Sequence, residues 1–92
     1  MNEQQDQSSV QLIMTEDIRE LMRHRGVSES YVMQVIAEAE RTSVKLVNMD
    51  NGRFIGHRRI GKITCWVDYQ KVEDAYRVHN AYMHRMEIEG EE

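Results

Sequence analysis

At Ser43 the spacing of apolar residues changes from three-and-four to two, and this switch constrains the fold of the 92-residue chain more than any other feature. Before it, Ile18, Leu21 and Met22, then Val32, Val35, Ile36 and Ala39, recur at helical spacing. After it come the Asn51-Gly52 turn dipeptide and a run of β-formers, Ile63, Thr64, Trp66, Val67 and Tyr69. The pattern predicts an α+β chain with two N-terminal helices packed on one face of a four-stranded antiparallel β-meander.

Thr15, followed by Glu16 and Asp17, is a helix N-cap with acids in the first turn, and Arg23, His24 and Arg25 close that helix before Gly26. This predicts a helix over about 15–24. Ser28 as N-cap, with Val27 and Val32 as a hydrophobic staple, predicts a second over about 28–42. Strands are expected over 44–49, 53–59, 62–69 and 75–88, with turns at Asn51-Gly52, at Gly61 and over 70–74. Residues 10–14 suit either an edge strand or the approach to the first helix. The organisation expected is a disordered N-terminal tail over 1–9, one domain over 10–88 and an acidic C-terminal tail over 89–92.

Charge and apolar pattern together suggest a register. Pairing Arg59 with Lys62 places Arg53 opposite Asp68 and Ile55 opposite Trp66; pairing Tyr69 with Tyr76 places Asp68 opposite Arg77 and Trp66 opposite His79. One face then gathers Phe54, Ile63, Cys65, Val67, Tyr69, Tyr76, Val78 and Tyr82 beneath the helices. The other presents Arg53, Ile55, His57, Arg59, Trp66, Arg77, His79, Met83 and Arg85, an aromatic patch with a basic rim.

The net charge of −4 is unevenly spread: seven basic against three acidic residues over 53–85, with acidic segments on both sides. Such a segment suits an anionic partner, although a solvated surface with a solubilising tail has the same composition. No apolar run approaches the roughly 18 residues that span a membrane, and the N-terminus has neither the basic start nor the apolar stretch of a secretory signal. A single cysteine requires no oxidising compartment, so a cytoplasmic location is expected.

His57, Cys65, His79 and His84 carry the right atoms for zinc, but their spacings fit no paired-ligand pattern. In the register above Cys65 and His84 face the helices while His57 and His79 face away, so no metal is expected. Cys65 lies mid-strand facing the core, which suits a buried inert thiol rather than a nucleophile. No phosphate loop, paired-carboxylate or cofactor motif occurs, and neither catalytic residues nor a cofactor are expected. A helix-turn-helix reading fails on charge: the second helix carries Glu29, Glu38 and Glu40 against Arg41 alone.

Trp66-Val67-Asp68-Tyr69 and Asn80-Ala81-Tyr82-Met83-His84-Arg85-Met86 resemble the W-V-[DE]-Y and N-A-Y-x-H-R-M core of a group of small bacterial proteins with no established activity. The resemblance spans about residues 29–88. It implies an accessory protein of larger redox enzymes such as flavin or glutamate-synthase-like oxidoreductases, with a buried hydrogen-bond network around Asn80 and His84. The expectation is a non-enzymatic interaction protein that binds a protein partner on its open basic-aromatic face. Single-stranded nucleic-acid binding by stacking on that face is the alternative, and a homodimer through it is a third possibility.

Overall fold

Two hydroxyl side chains start the two helices. Thr15 Oγ1 accepts from the Ile18 amide at 3.2 Å and Ser28 Oγ from the Tyr31 amide at 3.1 Å, each satisfying a donor that the first helical turn leaves free. The computed structural model describes residues 11–85, with side chains as far as His84. The tails expected over 1–9 and 89–92, together with residues 10 and 86–88, lie outside the described residues. The elements are β1 (Leu12–Ile13), α1 (Glu16–Arg25), α2 (Glu29–Thr42), β2 (Leu46–Asn48), β3 (Arg53–Ile60), β4 (Ile63–Val72) and β5 (Ala75–Arg85). Gly26 ends α1 in the left-handed region, its amide and that of Val27 bonding back to Arg23 and Met22, so Ser28 can cap α2 two residues later.

The strands form one sheet in the order β1-β5-β4-β3-β2. The α+β class agrees with the sequence, but among the described residues the sheet has five strands rather than four and is not wholly antiparallel. β1 lies parallel to the start of β5, with Leu12 beside Tyr76 and Ile13 beside Arg77. The Tyr76 amide donates to the Gln11 carbonyl at 2.8 Å, so the apolar Leu12-Ile13 pair finishes the edge of β5. Where β1 stops, Arg25 takes over: its Nη1 donates to the Ala81 carbonyl at 3.0 Å and to Asn80 Oδ1 at 2.9 Å.

The β3–β4 register is displaced by two residues from the one expected. Ile60 pairs with Ile63 across a Gly61-Lys62 turn, and Gly61 carries the positive φ of 66° that the first position of a tight hairpin demands. His57 therefore faces Trp66, and Ile55 faces Asp68. A shift of two preserves parity, so the assignment of β3 and β4 side chains to faces stands. The β2–β3 turn takes four residues, Met49–Gly52, instead of two, closed by the Gly52 amide on the Asn48 carbonyl at 2.9 Å.

In β5 parity does change. β4 runs on to Val72, turns through Glu73-Asp74, and pairs Gln70 with Arg77 and Tyr69 with Val78. The next pair is Asp68 with Asn80, so His79 is an extra residue and β5 bulges there. Beyond the bulge each described side chain, as far as His84, lands on the opposite face from the one expected. Ala81 pairs with Val67 and is buried, Tyr82 pairs with Trp66, and Met83 pairs with Cys65 and packs against the core. His84 pairs with Thr64 on the outward side, and Arg85 moves to the register position opposite Ile63.

α2 packs across β3 and β4, and α1 packs against β5, all on one side of the sheet. The core is Met22, Val27, Val32, Val35, Ile36 and Ala39 from the helical part against Cys65, Val67, Tyr69, Val78 and Ala81 from the sheet. Gly56 sets how close α2 can come: a Cβ there would lie 3.0 Å from the Ala39 Cβ. Tyr69, fully buried, donates its hydroxyl to Glu40 Oε2 at 2.6 Å, and Lys45 Nζ lies 2.6 Å from the same oxygen. Burial alone would raise the Glu40 carboxyl, but the hydrogen bonds from Lys45 and Tyr69 and the charges of Lys45 and Lys71 outweigh it and hold it below its ordinary value.

Candidate functional site

With both helices on one side, no described helix covers the other, where β3, β4 and β5 align an aromatic row. His57 stacks on Trp66 at 4.7 Å between ring centroids, and Tyr82 lies parallel to Trp66 at 6.5 Å from the opposite side. Trp66 is thus flanked by His57 and Tyr82 rather than by Ile55 and His79, as the expected register had it. The bulge at His79 causes the substitution on the β5 side, and the two-residue displacement causes it on the β3 side.

The basic rim is partly neutralised. Arg53 grips Asp68 with two hydrogen bonds, Nη2 to Oδ2 at 2.6 Å and Nε to Oδ1 at 3.1 Å, a fork that fixes both side chains. Arg77 sits opposite Gln70 instead of Asp68, so the aspartate meets one arginine and not two. His79 shares a 3.1 Å hydrogen bond with Gln70. Burial, with Arg53 and Arg77 nearby, lowers its imidazole below the ordinary value against the pull of Asp68. Arg59 is exposed and bonds the Gly61 carbonyl through Nε at 3.2 Å. Among the expected face residues, Arg53, Ile55, His57, Arg59, Trp66, Arg77 and His79 share this side, while Met83 joins the helix side.

Two depressions flank His57, and residues outside the expected set shape both. An apolar slot of about 240 Å³ is lined by Val44, Lys45, Leu46, His57 and Trp66. A more polar basin of about 460 Å³ is lined by Glu38, Thr42, Val44, His57, Arg58 and Arg59. Val44 and His57 form the ridge between them. Parity could have found the slot: Leu46 pairs with Ile55, so Val44 and Leu46 belong on the Trp66 side. The basin combines α2 with β3 and has no local signature. Within it Glu38 meets Arg58 at 3.3 Å and Arg41 at 3.0 Å, contacts that hold its carboxyl below the ordinary value.

Cys65 is fully buried, and burial pushes its thiol up to about 11, which leaves it a packing residue rather than a nucleophile. His57, His79 and His84 lie at separate positions on the sheet, and no group of three or more potential metal ligands occurs among the described residues. Asn80 bonds Arg25 and the Ala81 amide, while His84 is exposed, so the two do not form the buried network implied by the resemblance. No described helix is long and apolar enough to cross a membrane.

Fold and face together define a class: a small α+β chain with two helices on one side of a mostly antiparallel sheet and an aromatic row on the other. The chain matches no protein-family model, no curated protein and no solved structure.

Proposed function

We propose that the chain is a non-enzymatic interaction protein whose open sheet face binds a protein partner around Trp66. The carrying observation is the apolar slot between Leu46 and Trp66, next to the His57–Trp66–Tyr82 row. Tryptophan, tyrosine and arginine dominate the energetic centres of protein interfaces, and a slot of this kind accepts one apolar anchor. Arg59 and Arg77 form the exposed rim and favour a partner with acidic residues around that anchor. The resemblance of the W-V-D-Y and N-A-Y-M-H-R-M segments to small bacterial proteins implies a larger oxidoreductase as that partner, and the single cysteine suits a meeting in the cytoplasm.

Affinity capture with the tagged chain, followed by mass spectrometry and titration of the purified partner, tests this. Leu46→Asp and Trp66→Ala should each keep cooperative unfolding and weaken the partner at least about tenfold, the scale of a single interface anchor. Equal affinity in both variants removes the proposal.

One observation favours the alternative, single-stranded nucleic acid: Tyr82 joins Trp66 as a second aromatic on the face. Against it, His57 and Tyr82 flank the indole on both sides, so a base must displace one of them to stack. Salt-sensitive quenching of Trp66 by oligothymidine would reinstate this reading, and silence in that titration ends it.

A further inference from the structure

We infer that the stretch of β3 beyond Ile55 takes an extended acidic segment of the protein partner as an added strand, an inference that rests on the Trp66 side being a protein-binding face. β2 pairs with β3 only from Arg53 to Ile55, and no described strand lies on that side of His57–Ile60. The polar basin of about 460 Å³ opens in this notch, walled by Glu38 and Thr42 of α2 and by Val44. Ile60 pairs with Ile63 beside a two-residue turn, so the hydrogen-bonded pairs with β4 fall at Ile60 and Arg58. The backbone N–H and C=O of Arg59 between them point the other way, toward the basin. Such a pair at a sheet edge is a template for a further strand.

Charge and parity select the occupant. Arg58, Arg59 and Lys62 fall within five residues that hold no acid. Glu38, the basin's one carboxylate, is shared between Arg58 at 3.3 Å and Arg41 at 3.0 Å, so pairing leaves the basin positive. Arg59 bonds only the neutral Gly61 carbonyl among the described residues. Arg58 and Arg59 both line the basin, but from opposite faces of the sheet: Arg58 on the α2 side, Arg59 on the Trp66 side. A small anion would have to draw both side chains around the edge. An added strand meets them where they stand, because its own consecutive side chains alternate, one acid reaching Arg59 and the next Arg58. Antiparallel to β3, it continues the line of β2 and runs toward the ridge of Val44 and His57, with the apolar slot beyond. The two acids therefore precede the apolar anchor that enters beside Trp66. Glu38 competes with the incoming carboxylates for Arg58.

Fluorescence polarisation of a labelled synthetic peptide against the full chain reads the contact; the peptide carries two glutamates, a glycine and a leucine in that order between glycine-serine flanks. Saturable binding on the order of 100 µM is expected for so small a contact. Arg58→Gln and Arg59→Gln should each weaken it about threefold and together about tenfold, at unchanged urea midpoints, since exposed ion pairs add little to folding. Glu38→Gln should tighten it about threefold, because it removes the competing carboxylate. N-methylation of the first glutamate, whose amide faces Arg59, should weaken binding about fivefold at constant charge. A wild type that binds no peptide, equal binding after N-methylation, or no tightening in Glu38→Gln would each overturn the inference. So would displacement by oligothymidine or inorganic phosphate at lower concentration than by unlabelled peptide, which places a nucleic acid or a small anion in the basin. Partner capture that weakens in Trp66→Ala and Leu46→Asp but not in Arg58→Gln or Arg59→Gln overturns the added strand alone and leaves the Trp66 face standing.

Discussion

Gly56→Ala should destabilise the protein, because this residue sets the distance between α2 and the sheet. An added Cβ lies 3.0 Å from the Ala39 Cβ, 3.5 Å from Val35 Cγ1 and 3.6 Å from Tyr69 Cε1. Carbon atoms attract best at about 3.5–4.0 Å, so the second and third contacts are tolerable and the first is not. Ala39 Cβ is one bond from the helix backbone and cannot rotate away; α2 must lift as a body, loosening Val32, Val35 and Ile36 behind it. Overpacking of this kind costs about 1–3 kcal/mol. Replacing a mid-strand glycine returns about 0.5–1 kcal/mol through the unfolded chain. The net expectation is a loss of about 1–2 kcal/mol, a fall in melting temperature of about 5–10 °C at this size. Urea unfolding followed by Trp66 fluorescence measures it, with Ala39→Gly and the double variant completing a cycle. Ala39→Gly alone costs about 1 kcal/mol in helix propensity. The double variant should be more stable than the sum of the single losses by at least about 1 kcal/mol, because the clash is gone. A neutral Gly56→Ala, or single losses that add without coupling, refutes the close-approach account.

Ser43 and Glu73 hold positive φ angles of 65° and 57° without being glycine. Ser43→Gly and Glu73→Gly should each stabilise by about 0.5–1 kcal/mol, additively, in the same denaturation assay. Glu40→Gln should destabilise by about 1–3 kcal/mol, since Lys45 and the buried Tyr69 hydroxyl lose their charged acceptor. A carboxylate depressed in the folded state stabilises above its unfolded pKa of about 4.3 and loses that contribution as pH falls through the folded value. The acid limb of the stability profile below about pH 4.5 should therefore flatten in Glu40→Gln. His79, also depressed, favours its neutral form in the fold; its contribution is present above about pH 6.5 and lost as pH falls below it. His79→Gln should reduce the stability change between about pH 7 and 5.

The helices were legible because their ends are written in single residues: Thr15 and Ser28 cap, and Gly26 stops α1. The faces of β3 and β4 were legible because parity survives a displacement of two, even though the pairs themselves were misassigned. The turn at Gly61 decided that displacement, and the sequence alone does not say whether the glycine takes the first or second corner. β1 was legible only as an apolar pair. Its parallel pairing with β5 brings together residues more than sixty apart, and nothing local specifies that. The Arg25 contact with Asn80 and Ala81 is equally remote, across more than fifty residues.

The candidate face turned on the bulge. Reading β5 strictly by twos from Tyr76 and Val78 reaches Asn80, a polar residue that a packed core would leave with donors and acceptors to satisfy. A step of three reaches Ala81 and then Met83, both of which fit the core. The extra residue is therefore favoured by the burial of Ala81, and the cost is one irregular position, where His79 finds Gln70 and Asn80 finds Arg25. The same step carries Tyr82 outward to lie along Trp66. A strand without the bulge would bury Tyr82 and expose Met83, leaving the outward row with a single large aromatic beside His57. The aromatic row on which partner binding is proposed thus follows from how the opposite side of the sheet fills its core.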